Sequence, residues 1–574
     1  MAISILAAIY YNQHRRNKSV DCSAILQNVA MRAINGTDPV RLDDVDSAHV
    51  VSKIYEGLYE YHYLERPFKL VPNLAEGMPS ISPDGLIYTF KIQQGVLFQD
   101  DTCFPNGKGR ELKASDVVFT LKRVVDPQNT APFVDFIDGK IKGLNEWKSL
   151  PRLNYEQEVE GLKTLDDYTL QVTLTAPWPG FLDFLAHNTC FIVAKEAVMH
   201  YGAEFLNHPV GTGPFMLQGA FSPQEKRIEF VKNPNFREKL FPSEAAPQYK
   251  HMLAYAGKKI PLVDKVITHI FTEEQPRWLK MQKAEIDIDR VEASSFILSI
   301  VKDGALLPEL VKKGLVLSQE LGSSIEFFGF NHNHQLFSKN LYLRQAISLA
   351  FDRDTYNQVF YNGAAEVAHS LVPPLLLDTS ELFENPYAYN MERAKEYLAK
   401  AGYPGGKGLP VITLDVRPET SEKNKADFFA KCMAKIGIEI QVITNTWPEL
   451  YNKVFKTHAV MMYTLTWNAD YPDASSFLQL VSSKNLGGLQ YENTEFNTLL
   501  SKAMAMSDSQ VRSLLYTELS RTTSETVPMI CAVHRPIQFL HHKWIKNFVY
   551  GGFNLGLDQY IAVDMAVKNK SVTR

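Results

Sequence analysis

The sequence predicts a mixed α/β protein of several lobes. Strand and helix signals alternate from end to end of its 574 residues, no repeat or low-complexity stretch interrupts them, and the composition is that of an ordinary globular chain. Hydrophobic residues make up 45% and charged residues 22%, with 31 glycines and 30 prolines, so there is ample apolar material for packed cores and no disordered or fibrous bias. At about 150 residues per domain, the length corresponds to roughly four units.

The elements follow in chain order. Asp84-Gly85 is a turn pair ahead of the β-branched and aromatic run Ile87 to Ile92, and Gly95 separates that run from Val96-Leu97-Phe98, giving strand, turn, strand. Ser115 stands as an N-cap with Asp116 in the first turn. Val117, Val118, Leu121, Val124 and Val125 follow at helical spacing, and Asp126-Pro127 ends the helix. After Asp166-Asp167, the residues Tyr168, Leu170, Val172 and Leu174 alternate as in a half-buried strand, and Gly211-Thr-Gly-Pro-Phe215 makes a turn. Strands are expected at 266–270, 327–331, 411–414 and 438–443, and helices at 275–284 and 343–350. A further helix runs from its cap Asn390 to Lys400, closed by Gly402.

Charge and motifs exclude several function classes. The net charge is −4 with no long run of one sign, so a nucleic-acid footprint is absent. Cys22, Cys103, Cys190, Cys432 and Cys531 are far apart with no C-x-x-C pair, which excludes zinc ribbons and thioredoxin motifs. One or two disulfides remain open, and the odd count leaves at least one thiol unpaired. No G-x-x-x-x-G-K-[ST], G-x-G-x-x-G, H-E-x-x-H or G-x-S-x-G occurs; Gly402-Tyr-Pro-Gly-Gly406-Lys407-Gly408 has the wrong spacing for a phosphate loop. His332 with His334, and His541 with His542, lack the Cys or carboxylate pattern of a metal site and are expected as surface or loop histidines. Glu273-Glu274 and Asp287 with Asp289 are paired carboxylates, expected at solvated helix ends in preference to acid–base work. No catalytic residue, metal or cofactor is expected. The apolar start Met1 to Tyr11 is far short of the roughly 20 residues that span a bilayer. Its basic residues Arg15, Arg16 and Lys18 follow the apolar stretch instead of preceding it, and Cys22 lacks the setting of a lipidated cysteine. Two readings stand side by side: a frayed end, or the tail of a signal or anchor that starts upstream.

Several segments together carry a resemblance. Ile54-Tyr-Glu-Gly-Leu-Tyr59, Asp84 to Asp100, Ala114-Ser-Asp-Val-Val-Phe119 with Arg123, Gly211-Thr-Gly-Pro-Phe215, Asn233-Pro-Asn-Phe236, Glu285-Ile-Asp287, the Asn331 strand, Arg344 to Arg353, Ala401-Gly-Tyr403 and Trp467-Asn-Ala-Asp-Tyr-Pro-Asp473 come in one order. In that order they resemble the large extracytoplasmic solute-binding proteins of the peptide and nickel type, which deliver ligands to ATP-binding-cassette importers. The family's F-H-D-G loop departs here, reading Phe98-Gln-Asp-Asp-Thr-Cys-Phe-Pro-Asn-Gly107 with an insertion.

The resemblance implies an α/β, two-lobed periplasmic-binding-protein fold with an extra inserted domain and a hinge between the lobes. Lobe I would combine residues 25–71, 206–300 and 543–574, the inserted domain would be 72–205, and lobe II 301–542. It implies a non-enzymatic, monomeric, periplasmic or extracytoplasmic binding protein, free or membrane-anchored. Its partners would be a short peptide or another small solute and the permease subunits of the importer. Such a cleft needs a carboxylate for the ligand's α-ammonium, strand edges for its backbone and roomy side-chain pockets. The likeness places the ammonium partner at Asp470, with Trp467, Asn468 and Ala469 beside it, and Glu56 and Gly57 on the opposite lobe. Each has a bland alternative: Trp467 as core, Asp470 as the cap of a turn before Tyr471-Pro472, and Arg344 as a solvated or ion-paired helix residue. A nickel chelate or sugar receptor, a sensor-coupled receptor and, last, a hydrolase are the competing functions.

Overall fold

The computed structural model describes residues 24–572 apart from 179, 220, 223, 292–298, 303, 378–383, 507–509, 551 and 554. The apolar start and Cys22 lie outside the described residues. Among these residues, no helix is long and apolar enough to cross a membrane.

The N-terminal strand Ile25–Ala30 runs parallel to Lys265–Ile270, which continues antiparallel into Arg227–Lys232 and then Phe215–Leu217, a four-stranded sheet built from distant parts of the chain. A second four-stranded sheet orders Ser80–Ile81, Ile87–Lys91, Thr169–Thr173 and Leu162–Asp166, all antiparallel. The amphipathic helix Ala114–Val125 lies in the same segment of chain, and Val117, Leu121 and Val124 join Phe90, Leu170 and Val172 in one core. That core runs without a break into Leu26, Phe230 and Val266, so the sheet of the 72–205 segment and the first sheet pack as one apolar body.

The other large body is a six-stranded mixed sheet ordered Glu366–Val367, Met529–His534, Ser324–Phe330, Met462–Asn468, Ile412–Val416 and Ile440–Thr444. Its strand Ser324–Phe330 is buried at every position, as expected of a strand covered on both faces. Alternation sends Phe328 and Phe330 into a core with the helices Leu341–Ala350, Met391–Lys400 and Thr420–Ala434. Ile325 and Phe327 go into another with Thr494–Met504 and Gln510–Thr526. A short antiparallel sheet connects the two bodies: Ile288–Val291, Pro536–His542 and Leu315–Leu321.

Several local expectations are corrected. The 96–98 strand reduces to one bridge between Leu97 and Glu111. The helix expected to be capped by Ser115 begins at Ala114, where Asp116 accepts the Lys113 N–H at 2.9 Å. His332, His541 and His542 are buried, not surface residues, each with a ring nitrogen about a hydrogen bond from Pro528 O, Ser318 Oγ or Met281 O. Asp287 and Asp289 are likewise buried instead of solvated. Asp287 accepts from Trp544 Nε1 at 2.7 Å and Lys568 Nζ at 2.8 Å, and Asp289 pairs with Arg277. Arg344 is neither solvated nor ion-paired. It is buried and donates to the carbonyls of Phe337, Thr526 and Val527, closing the end of the helix Gln510–Thr526. Cys103, Cys190, Cys432 and Cys531 are free thiols.

Candidate functional site

A cavity of about 840 Å³ opens between the two bodies. It is walled by residues within 42–61, 183–191 and 466–470, by Trp447 and Tyr451, by Gly552, Phe553, Leu555, Gly556 and Gln559, and by Asn73, Pro132, Phe133 and Pro214. The size is at the upper end of the ~300–1,000 Å³ usual for small-molecule sites.

One wall is the far end of the strand Met462–Asn468. The strand pairs with Ser324–Phe330 along its whole length, but on its other side it meets Ile412–Val416 only at Met462 and Tyr463. Ala469 N–H donates to Ser323 O at 2.9 Å. By the two-residue alternation of an antiparallel ladder, Leu465 and Trp467 also turn their main-chain groups to the partner strand. Thr466 and Asn468 therefore turn theirs to an edge that no described strand covers. Thr466, Trp467, Asn468 and Ala469 all border the cavity. The Trp467 ring packs on the apolar core beneath the sheet, and its buried Nε1–H has no acceptor.

Asp470 follows where this ladder ends. Its backbone N–H donates to Ser476 Oγ at 3.1 Å, and the turn is tied by Asp473, which accepts the Ser475 N–H at 2.9 Å and Arg512 Nη2 at 2.6 Å. Capping work in this loop thus falls to Asp473, and the Asp470 carboxylate has no ion-pair partner among the described residues. Burial alone pushes its carboxyl up to about 6.

The facing wall is built on Ile54 to Gly57. Gly213 N–H donates to Ile54 O at 2.7 Å, and a Cβ on Gly211 would lie 2.0 Å from that same oxygen, so this turn needs glycine for close approach. Thr212 Oγ1 donates to Glu56 Oε2 at 3.0 Å, and Arg237 Nη1 donates to the same oxygen at 2.6 Å. Burial works against the Glu56 charge, but the Arg237 guanidinium outweighs it and holds the carboxyl below its usual range. Glu56 therefore lines the cavity with its charge already matched, leaving only the buried Oε1 without a donor. Gly57 lets the chain pass beside Leu185, whose carbonyl would be 2.8 Å from an added Cβ.

Sequence reasoning missed much of the rest. Asp183, on the helix Phe181–Ala186, accepts the Tyr61 hydroxyl at 2.9 Å. Burial, with the Asp473 charge reinforcing it against Tyr61 and Arg512, raises its carboxyl to about 6. His187, packed edge-on to Phe133, is held neutral by burial, which lowers it to about 4. Trp447 and Tyr451, an aromatic pair one helical turn apart, border the cavity while 49% and 42% exposed. Gln559 contributes a second buried acceptor with no donor, its Oε1. The usable signals were local oddities: a lone acid inside the apolar run Phe181 to Leu185, and two exposed aromatics at helical spacing.

Three comparisons bear on this cleft. The family model described as bacterial extracellular solute-binding proteins, family 5 (middle) matches residues 69–488. Heme-binding protein A of Haemophilus influenzae is 26% identical over 527 residues, covering 89% of this chain and 87% of its own. The dipeptide-binding protein of Escherichia coli is 27% identical over 493 residues, covering 84% of each. Among solved structures, an ABC transporter-associated periplasmic binding protein of Helicobacter pylori in complex with the peptide STSA superposes with a TM-score of 0.70. It is 24% identical and covers 94% of this chain and 98% of that one, a likeness of fold.

Proposed function

Because this chain belongs to the family 5 bacterial extracellular solute-binding proteins, whose members bind substrate without catalysis and work with ABC importers, we propose that it binds short peptides in the cleft and hands them to a membrane permease. In this reading residues 25–71, 206–300 and 543–574 form lobe I, 72–205 the inserted domain and 301–542 lobe II, with the sheet of Ile288–Val291, Pro536–His542 and Leu315–Leu321 as the hinge. The α-ammonium of the peptide meets Asp470. Its backbone pairs with the open edge at Thr466 and Asn468, with Trp467 and Ala469 as the wall beneath. Glu56 and Gly57 shape the opposite wall, through the held carboxylate and the close main-chain approach.

The observation that carries this reading is Asp470: a half-buried carboxylate in a large cavity, at the end of an uncovered strand edge, with no cation of its own. A ligand ammonium satisfies it, and removing one partner of such a desolvated pair costs about 2–5 kcal/mol. Asp470→Asn keeps the shape and removes the charge, so affinity for a free-amine peptide such as Met-Leu should drop by some tens to a few thousandfold, at about 1.4 kcal/mol per decade. N-acetylation of the ligand removes the same interaction, so the two changes must be strongly non-additive in calorimetry. Independent costs, or normal binding by the variant, would replace the peptide with another small solute.

A further inference from the structure

The charge of the cavity wall is one-sided. Asp43, Asp44, Glu56, Glu60, Asp183 and Asp470 line it, and among the described lining residues there is no lysine or arginine. The cations nearest these acids stand behind the wall and are engaged: Arg237 holds Glu56 at 2.6 Å, Lys239 holds Glu60 at 2.7 Å, and Arg512 holds Asp473 at 2.6 Å. Asp183 and Asp470, on different bodies of the protein, keep no ion pair among the described residues. Glu56 Oε1 and Gln559 Oε1 are fully buried acceptors without a donor, and Glu56 and Gln559 are 6% and 4% exposed. The wall therefore lacks donors and positive charge at several separate points, whereas among its described side chains Trp467 Nε1 is the one buried donor without an acceptor.

A zwitterionic peptide brings one ammonium and one carboxylate. The ammonium is matched at Asp470, but a carboxylate drawn into this cavity would be desolvated with no cation to meet it, at a penalty of several kcal/mol. Building on the peptide reading, we infer that the cleft selects cationic peptides: the α-ammonium at Asp470, a lysine or arginine side chain at Asp183, and the C-terminal carboxylate left in water and not clamped. Asp183 suits the second role because its side-chain partner among the described residues is the neutral Tyr61 hydroxyl on Oδ1, so an arriving ammonium or guanidinium can make a charge-assisted bond to the carboxylate.

Calorimetry at pH 7.5 on the full chain tests this with Lys-Ala-Ala, Ala-Lys-Ala, Ala-Ala-Lys, Ala-Ala-Ala, Ala-Glu-Ala and glutathione. The best lysine peptide should bind at least about tenfold tighter than Ala-Ala-Ala. Ala-Glu-Ala and glutathione should be the weakest, and C-terminal amidation should leave affinity unchanged or raise it. Asp183→Asn, which retains a group for Tyr61, should shrink the lysine-over-alanine ratio toward one. Tight binding of Ala-Glu-Ala or glutathione, a loss of about tenfold or more on amidation, or a ratio unmoved in Asp183→Asn would overturn the inference while leaving the peptide reading intact. If no peptide binds, the peptide reading falls, and 1,5-diaminopentane against glutarate decides the charge inference separately. Binding of the diamine alone supports it; binding of glutarate, or of neither, refutes it.

Discussion

Asp470 and Asp183 are carboxylates that folding has stripped of water without giving either an ion pair among the described residues, Asp183 feeling Arg512 only at a distance, and this sets the sign of their pH response. Each carboxyl is raised to about 6, chiefly by burial. A bound ammonium favours the charged form, so protons and ligand compete: affinity should be full above pH 6 and fall below it, by about one decade per pH unit for each carboxylate that titrates. A lysine peptide that uses both should fall more steeply than Ala-Ala-Ala, as fluorescence titrations between pH 7.5 and 4.5 will show. Equal slopes would mean that Asp183 takes no ligand charge. His187, held down to about 4, stays neutral through this window, and Glu56 stays charged under Arg237. The empty fold responds in the opposite sense. A carboxyl whose pKa is raised on folding favours the folded state below the unfolded value of 3.8, and that contribution is lost as pH rises through about 6. The sequence pointed to Asp470 only through the likeness of Trp467 to Asp473 to a family motif, and the structure places it on the cavity wall. Asp183 drew no notice there, because its surroundings are set by residues far away in the chain, Tyr61 and Asp473, which no local pattern connects.

At the scale of elements, periodicity located most of the helices and strands it named but passed over the two longest helices, Gln510–Thr526 and Thr420–Ala434. Met391–Lys400 has its cap Asn390, whose side chain accepts the Arg393 N–H at 3.0 Å, and Lys265–Ile270 falls where its β-branched run stands. It failed where tertiary pairing decides: Val96 to Phe98 has strand composition but no partner beyond the Leu97 bridge, and the histidines and acids of 287–289 and 541–542 are buried by elements remote in sequence. Two stability predictions belong here. Gly211→Ala drives a Cβ into Ile54 O at 2.0 Å, a backbone atom that cannot swing aside. It should cost about 1–3 kcal/mol in urea unfolding, like other overpacking. Gly77→Ala, with nothing within 4 Å, is the control and should stay within about 0.5 kcal/mol. The central strand carries a buried Glu326 that accepts Lys425 Nζ at 2.9 Å and the hydroxyls of Tyr356 and Tyr361. Lys425→Met leaves that carboxylate uncompensated and should cost about 3–5 kcal/mol, whereas the Glu326→Gln/Lys425→Met pair should cost clearly less than the sum of the two single changes. The open edge makes a prediction on the ligand side: N-methylation of the peptide amide that pairs with it removes one hydrogen bond, worth about 0.5–1.5 kcal/mol, and methylation of the next amide along should matter less.

On the scale of the whole molecule, closure and charge are one problem. Asp473 and Arg512 come from the six-stranded body, Asp183 and Tyr61 from the other, and their charges act on one another across the cleft. If the bodies close as proposed, doing so without ligand would desolvate Asp470 and Asp183 with no ion pair for either, so the closed arrangement would be penalised until a cation arrives. The ligand then supplies the differential free energy that any closure requires. Motion is expected at the short sheet of Ile288–Val291, Pro536–His542 and Leu315–Leu321, where few strands connect two large cores. Small-angle scattering should show the wild type becoming more compact with a lysine peptide, and ligand at about 100 times Kd should add about 2.7 kcal/mol of stability. The sharper expectation concerns the empty protein. The Asp183→Asn/Asp470→Asn variant lacks the charges that oppose closure, so without ligand it should already be more compact than the wild type, and a lysine peptide should compact it little further. An empty variant as open as the wild type would show that the two carboxylates bind ligand without controlling the hinge.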